Sequence, residues 1–209
     1  SVVRVGALSG PNLAKEILAG QPTATVIASQ FEEVIKIGQD KLSGDRFYVF
    51  GSNDIKSAEF AGVFKNIIAL GSGLLAGKGM GKNMQAMLIT RGLREMIIFG
   101  KFLGAKRRAF LGTAGIGDLI ATATSELSRN FTFGKRLGLG ETMNEILGSM
   151  DEVVEGVRTL KIAMLLLKKY QLQAPITFVM YKIVFENFDV DKAISYLMRY
   201  PYANDVDFI

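Results

Sequence analysis

The spacing of apolar and polar positions changes character near residue 55. Before it, short β-branched and aromatic runs alternate with amphipathic stretches. Residues 1–8 (SVVRVGAL) read as a strand that must stop at Ser9-Gly10-Pro11. Residues 12–20 carry one amphipathic helix, with Asn12 as a candidate N-cap and Gly20 past its end. The β-branched run at 23–29 predicts a second strand, 31–42 a second helix, and 46–50 (RFYVF) a third strand closed by Gly51-Ser52-Asn53-Asp54. Three strands interleaved with two helices form an α/β unit. Three strands are few for a sheet standing alone, so residues 1–54 read as the tail of a larger one.

From residue 55 onward no run reads as a strand, and the expected class is mainly α, with residues 55–209 all helical. The central prediction is a helix over 59–81. At about 100° per residue, Phe60, Val63, Phe64, Ile67, Gly71 and Leu74 share one face, predicted to be buried. The opposite face carries Ala58, Gly62, Lys65, Ala69, Ser72 and Ala76, on which Lys65 is the only long side chain. A glycine-rich turn at 77–83 separates this helix from one over 83–103, with Met84, Met87, Leu88, Met96, Phe99 and Leu103 apolar. Short helices follow at 106–111, from Asp118, and over 131–139. Thr142 to Glu145 match a capping box. A helix over 151–170 is predicted to bury Ile162, Leu165 and Leu166. Pro175 opens the next helix, and the last runs from 189–191 to about 199.

Composition narrows the chemistry more than the fold. The chain has neither cysteine nor histidine, which excludes disulfides, Cys/His zinc sites and histidine-based triads. Acid–base work falls to Lys, Asp, Glu or Tyr, and no metal site is expected. The net charge of +5 suits an anionic small molecule. Lysines and arginines are scattered without interleaved aromatics, so nucleic acid is not an expected partner. Lys106-Arg107-Arg108 is the one tight basic cluster and reads as a solvated helix end. No run of about 18 apolar residues lacks charge, so no membrane partner is expected, and a cytoplasmic location is.

Three places carry candidate chemistry. Lys65 projects from a face of small residues, where a partly desolvated amine can act as a general base; a lysine snorkelling to solvent would have the same spacing. Asp118 follows two close glycines at a helix start, where it could equally serve as a cap. Ser128-Arg129-Asn130 places a hydroxyl, a guanidinium and an amide where free N–H groups point outward, a candidate anion pocket or an ordinary cap. The turn GKGMGKN lacks the spacing of a phosphate loop and reads as a hinge.

The blocks SGPNLAKEILAGQPTATVIAS, EFAGVFKNIIAL, LITRGLREM, AGIGDLIATATSELSRNFTFG and VVEGVRT together resemble the NAD(P)-dependent glycerol-3-phosphate dehydrogenase family, in colinear order over almost the whole chain. The resemblance implies the tail of a Rossmann dinucleotide-binding domain over 1–54. It implies a helical substrate domain like the C-terminal domain of 6-phosphogluconate dehydrogenase over 55–209. It also implies a homodimer, NAD or NADP as cofactor, and a phosphorylated polyol as substrate. By the same resemblance, Lys65 is the proton-transferring lysine and Asp118 the carboxylate that orients it. Ser128, Arg129 and Asn130 hold the substrate phosphate, and Gly10, Asn12 and Asn66 are further substrate contacts. Ala14, Val153 and Glu155, with Arg129, lie on the cofactor side. The glycine-rich fingerprint of the family is not in these residues, so the chain by itself is expected to be inactive. A non-enzymatic binding module for a phosphorylated metabolite and another two-domain lysine-dependent dehydrogenase are the alternative readings.

Overall fold

A computed structural model describes residues 3–150, 153–201 and 204–205. Its strands are β1 (Ala7–Ser9), β2 (Thr23–Ala28) and β3 (Phe47–Ser52). They form one sheet in the order β1-β2-β3. β2 and β3 pair in parallel across α2 (Glu32–Leu42), a βαβ unit, and β3 runs two residues into the predicted closing turn. β1 pairs antiparallel to β2, Leu8 opposite Ile27. The intervening α1 (Ala14–Leu18) is too short for a crossover, and the chain reverses at Gly10 instead. Gly10 has φ +151°, and a Cβ there would press on the Thr25 backbone. Two expectations shift. The first strand is only Ala7–Ser9, residues 3–6 lying outside it, and α1 starts behind Leu13, with no side-chain cap. Asn12 instead donates its amide to Thr25 Oγ1 at 2.8 Å.

Among the described residues everything after β3 is helix and turn: α3 (Ile55–Gly77), α4 (Lys82–Phe102), α5 (Asp118–Thr124), α6 (Arg129–Gly138), α7 (Met143–Ser149), α8 (Glu155–Tyr170), α9 (Pro175–Glu186) and α10 (Val190–Arg199). Asp54 caps α3 through the Ser57 N–H, and Thr142 with Glu145 completes the predicted capping box of α7. α3 is long and apolar enough to cross a bilayer, yet its apolar positions are taken by the other helices. It runs through the middle of the main core, where Phe64, Ile67, Ile68, Leu70 and Leu74 are nearly inaccessible.

That enclosure corrects the helical wheel. Ala58, Ala69 and Ser72, on the face read as an open groove, are fully packed, while Val63, on the face read as buried, is half exposed. Met87 on α4 and Leu103 just past its end are exposed as well. On α8, Ile162 and Leu165 face outward; Val157, Leu160, Ala163 and Met164 turn inward instead. The predicted start of that helix, Asp151 and Glu152, lies outside the described residues. Before α5 the chain makes a 3-10 turn (Arg107–Leu111) and a single π-helical turn (Thr113–Gly117), the latter not anticipated.

α6 is set against α3 by backbone contact. Gly73 and Gly77 of α3 meet Gly134 and Gly138 of α6, and a Cβ at any of the four would overlap a carbonyl oxygen of the other helix. The two helices run the same way, with Leu70 beside Gly134 and Leu74 beside Gly138. One turn earlier in this register, Asn66 meets Asn130. The seam therefore delivers the start of α6 to the middle of α3, beside Lys65.

Candidate active site

Lys65 and Asp118 meet across α3 and α5: Nζ donates to Oδ1 at 2.5 Å. The aspartate side chain is 4% exposed and the lysine side chain 18%, so the carboxylate lies beneath an amine that still reaches the surface. Asp118 occupies the first turn of α5 but caps nothing there. Its carboxylate accepts from Thr122 Oγ1 at 3.2 Å and from the Gly10 N–H. Burial pushes its carboxyl above the usual range, against the opposing pull of the Lys65 ammonium and the Thr122 and Gly10 donors.

Above this pair lies a hollow of about 310 Å³. Asn12, Ala14, Lys65, Asn66, Ser128, Arg129, Asn130 and Glu155 all line it, together with Lys15 and Thr122. Eight predicted site residues from four separated segments thus share one wall. The other three lie just outside the lining: Asp118 beneath Lys65, Gly10 behind Asp118, and Val153 with its carbonyl 3.5 Å from the Arg129 guanidinium. Asn12 Oδ1 is buried and has no hydrogen-bond partner among the described residues. Ser128 caps α6 by accepting the Phe131 N–H at 3.3 Å.

The two asparagines line the hollow and are also tied into the fold. Asn66 is 3% exposed and Asn130 6%, and their amides are engaged with each other and with the start of α8. Thr122 and Lys15 were missed. Thr122 lies four residues after Asp118, on the same helical face, and that spacing was the available signal. A larger cleft of about 740 Å³ lies elsewhere, between α2, the end of β3 and the 3-10 turn. Lys106 and Arg108 line it: the basic cluster is exposed at the start of the 3-10 turn, a solvated helix end as expected, and it also borders this cleft. Glu32 and Asp54 face the same cleft, and it holds no lysine–carboxylate pair.

Comparison with known proteins gives the family of the chain. Residues 54–195 match the model of the NAD-dependent glycerol-3-phosphate dehydrogenase C-terminus, and residues 1–35 match that of the N-terminus. The chain belongs to the NAD-dependent glycerol-3-phosphate dehydrogenase family. It is 44% identical over 195 residues to glycerol-3-phosphate dehydrogenase [NAD(P)+] of Staphylococcus aureus, a match that covers 93% of this chain and 59% of that protein. Among solved structures it is similar to the Coxiella burnetii glycerol-3-phosphate dehydrogenase, with TM-score 0.90 and 35% identity over 95% of this chain and 61% of that one. It is also similar to the Saccharomyces cerevisiae enzyme, with TM-score 0.83 and 25% identity over 92% and 59%. The chain thus spans about three-fifths of the length of these glycerol-3-phosphate dehydrogenases.

Proposed function

We propose that this chain forms the substrate-binding and proton-transfer part of an enzyme that interconverts glycerol 3-phosphate and dihydroxyacetone phosphate. Residues 55–209 act as the helical substrate domain, and residues 1–54 belong to the dinucleotide-binding domain. The observation that carries this reading is the Lys65–Asp118 pair on the floor of a hollow whose wall includes the start of α6. An amine above a buried carboxylate, beside a helix N-terminus and a guanidinium, offers proton transfer at one end and anion binding at the other.

The residues here fit the nicotinamide end of a dinucleotide and not its pyrophosphate. Exposed Ala14 and Val153 and the Glu155 carboxylate flank the hollow, whereas no glycine-rich phosphate cradle follows a strand among residues 1–54. NAD or NADP, when bound, supplies the hydride acceptor. The protein's own part is proton handling and orientation. In alcohol oxidation the neutral Lys65 amine takes the hydroxyl proton at Nζ; in ketone reduction its ammonium returns that proton to the carbonyl oxygen. Asp118, held by Thr122 and the Gly10 N–H, aims the amine and balances its charge. Ser128, Arg129 and Asn130 hold the phosphate, and the unpaired Asn12 Oδ1 accepts a substrate hydroxyl. The reading carries with it a cytoplasmic homodimer, checked by fractionation and sedimentation velocity.

Calorimetry with glycerol 3-phosphate and NADH, on this chain and on a two-domain form, tests the proposal. It predicts nucleotide binding and turnover in the two-domain form alone. Failure of the two-domain form to oxidise glycerol 3-phosphate would overturn it.

A further inference from the structure

Two asparagines at the mouth of the α3–α6 seam join three helices in a closed circuit. The Gly156 N–H, in the first turn of α8, donates to Asn130 Oδ1 at 2.8 Å. Asn130 Nδ2 donates to Asn66 Oδ1 at 3.0 Å, and Asn66 Nδ2 donates to Glu155 Oε2 at 3.3 Å. The ends of this chain are neighbours in sequence: a backbone N–H that can only donate and a carboxylate that can only accept. Both ends therefore impose the same polarity on both amides. Each side-chain oxygen accepts one bond of the relay, while Asn130 keeps one N–H unused and Glu155 keeps one oxygen without a partner among the described residues.

We propose that the Asn66 and Asn130 amides form a directional relay that locks the start of α6 to α8, with Asn66 a positioning residue and Asn130 both a link in the relay and a donor to the anion. The relay leaves an Asn130 N–H for the anion end of the hollow and holds the Glu155 carboxylate at the other side. Asn66 acts through its neighbours and does not touch substrate. Assigning the donor face to a substrate phosphate rests on the dehydrogenase reading above; the relay itself does not.

The polarity makes a specific test available. In N130D the carboxylate still accepts the Gly156 N–H, but Asn66 must turn its NH2 toward position 130 and its oxygen toward Glu155, where two acceptors then face each other. E155Q supplies a donor at that point and reverses the whole relay, although no hydrogen bond joins positions 130 and 155 directly.

On the 209-residue chain, N130D should lower the thermal midpoint by about 5 °C, and N130D/E155Q should recover at least half of the loss. Where N130D does not fold, recovery of folding by E155Q counts in the same way. The recovery should vanish when Asn66 is replaced by Leu, or by Ala where the leucine variant does not fold. No recovery, or the same recovery without the Asn66 amide, would overturn the relay. In the two-domain form, N130D should weaken glycerol 3-phosphate binding by about tenfold, with E155Q restoring part of it. Absence of glycerol 3-phosphate binding by the parent protein would count against the dehydrogenase reading and leave the stability cycle to decide the relay.

Discussion

Among the described residues two carboxylates are buried in the helical part of this chain, and they live in opposite surroundings. Glu95 of α4, 1% exposed, accepts the Ile176 N–H at 2.6 Å, the Thr177 N–H at 2.9 Å and the Thr177 hydroxyl at 2.7 Å. It caps α9 from another helix, just after Pro175, whose missing N–H leaves one donor fewer to satisfy. Asp118 is nearly as buried, but its principal partner is the Lys65 ammonium at the edge of a hollow. Burial pushes both carboxyls up, Glu95 to about 7. Burial and a perturbed carboxyl therefore do not by themselves mark the chemical site. The partner does: fixed backbone donors make a structural clamp, and a titratable amine with access to a ligand makes a proton-transfer pair.

Breaking each clamp in turn separates the two roles. The largest effect falls on Lys65. In the two-domain form, K65A should lower turnover by about 10⁴-fold while leaving dinucleotide affinity nearly unchanged, as steady-state kinetics and calorimetry would show. Near-normal turnover would remove the amine from the mechanism. E95A comes next, on the other scale. Stranding the Ile176 and Thr177 donors and opening a void should cost about 4 kcal/mol in urea unfolding. Folded E95A should keep its specific activity.

The pH dependence sharpens the same contrast. Glu95 keeps its proton in the fold at pH values where the unfolded chain has lost it, its carboxyl moving from an ordinary 4.5 to about 7. Its contribution is fully present below pH 4.5 and is lost as pH rises through about 7, a decline of about 3 kcal/mol. E95Q should flatten that slope in thermal melts taken across the range. The smallest effect belongs to Thr122, whose hydroxyl only steadies Asp118. T122V should cost about tenfold in turnover with the thermal midpoint nearly unchanged.

Much of this was legible in the sequence. Periodicity located the helices, Thr142-x-x-Glu145 announced its capping box, and the residues predicted to share a site converge around one hollow. The misplacements have one cause. A helical wheel assumes a single buried face, and α3 is enclosed on most sides, so Ala58 and Ser72 are packed while Val63 is exposed. The outward turn of Ile162 and Leu165 depends on where α8 docks, which no local period records. The α3–α6 seam was unreadable for the same reason: Gly73 and Gly134 explain each other only once the two helices are side by side. The role of Glu95 likewise becomes visible only once the first turn of α9 is set against it.

The most direct measurement compares D118N and E95Q in the two-domain form, following turnover and thermal midpoint on the same samples. The account predicts that D118N loses about 10²-fold or more in turnover with a midpoint close to the parent's, while E95Q loses several degrees and keeps its specific activity. A D118N variant that unfolds early yet turns over normally would contradict it.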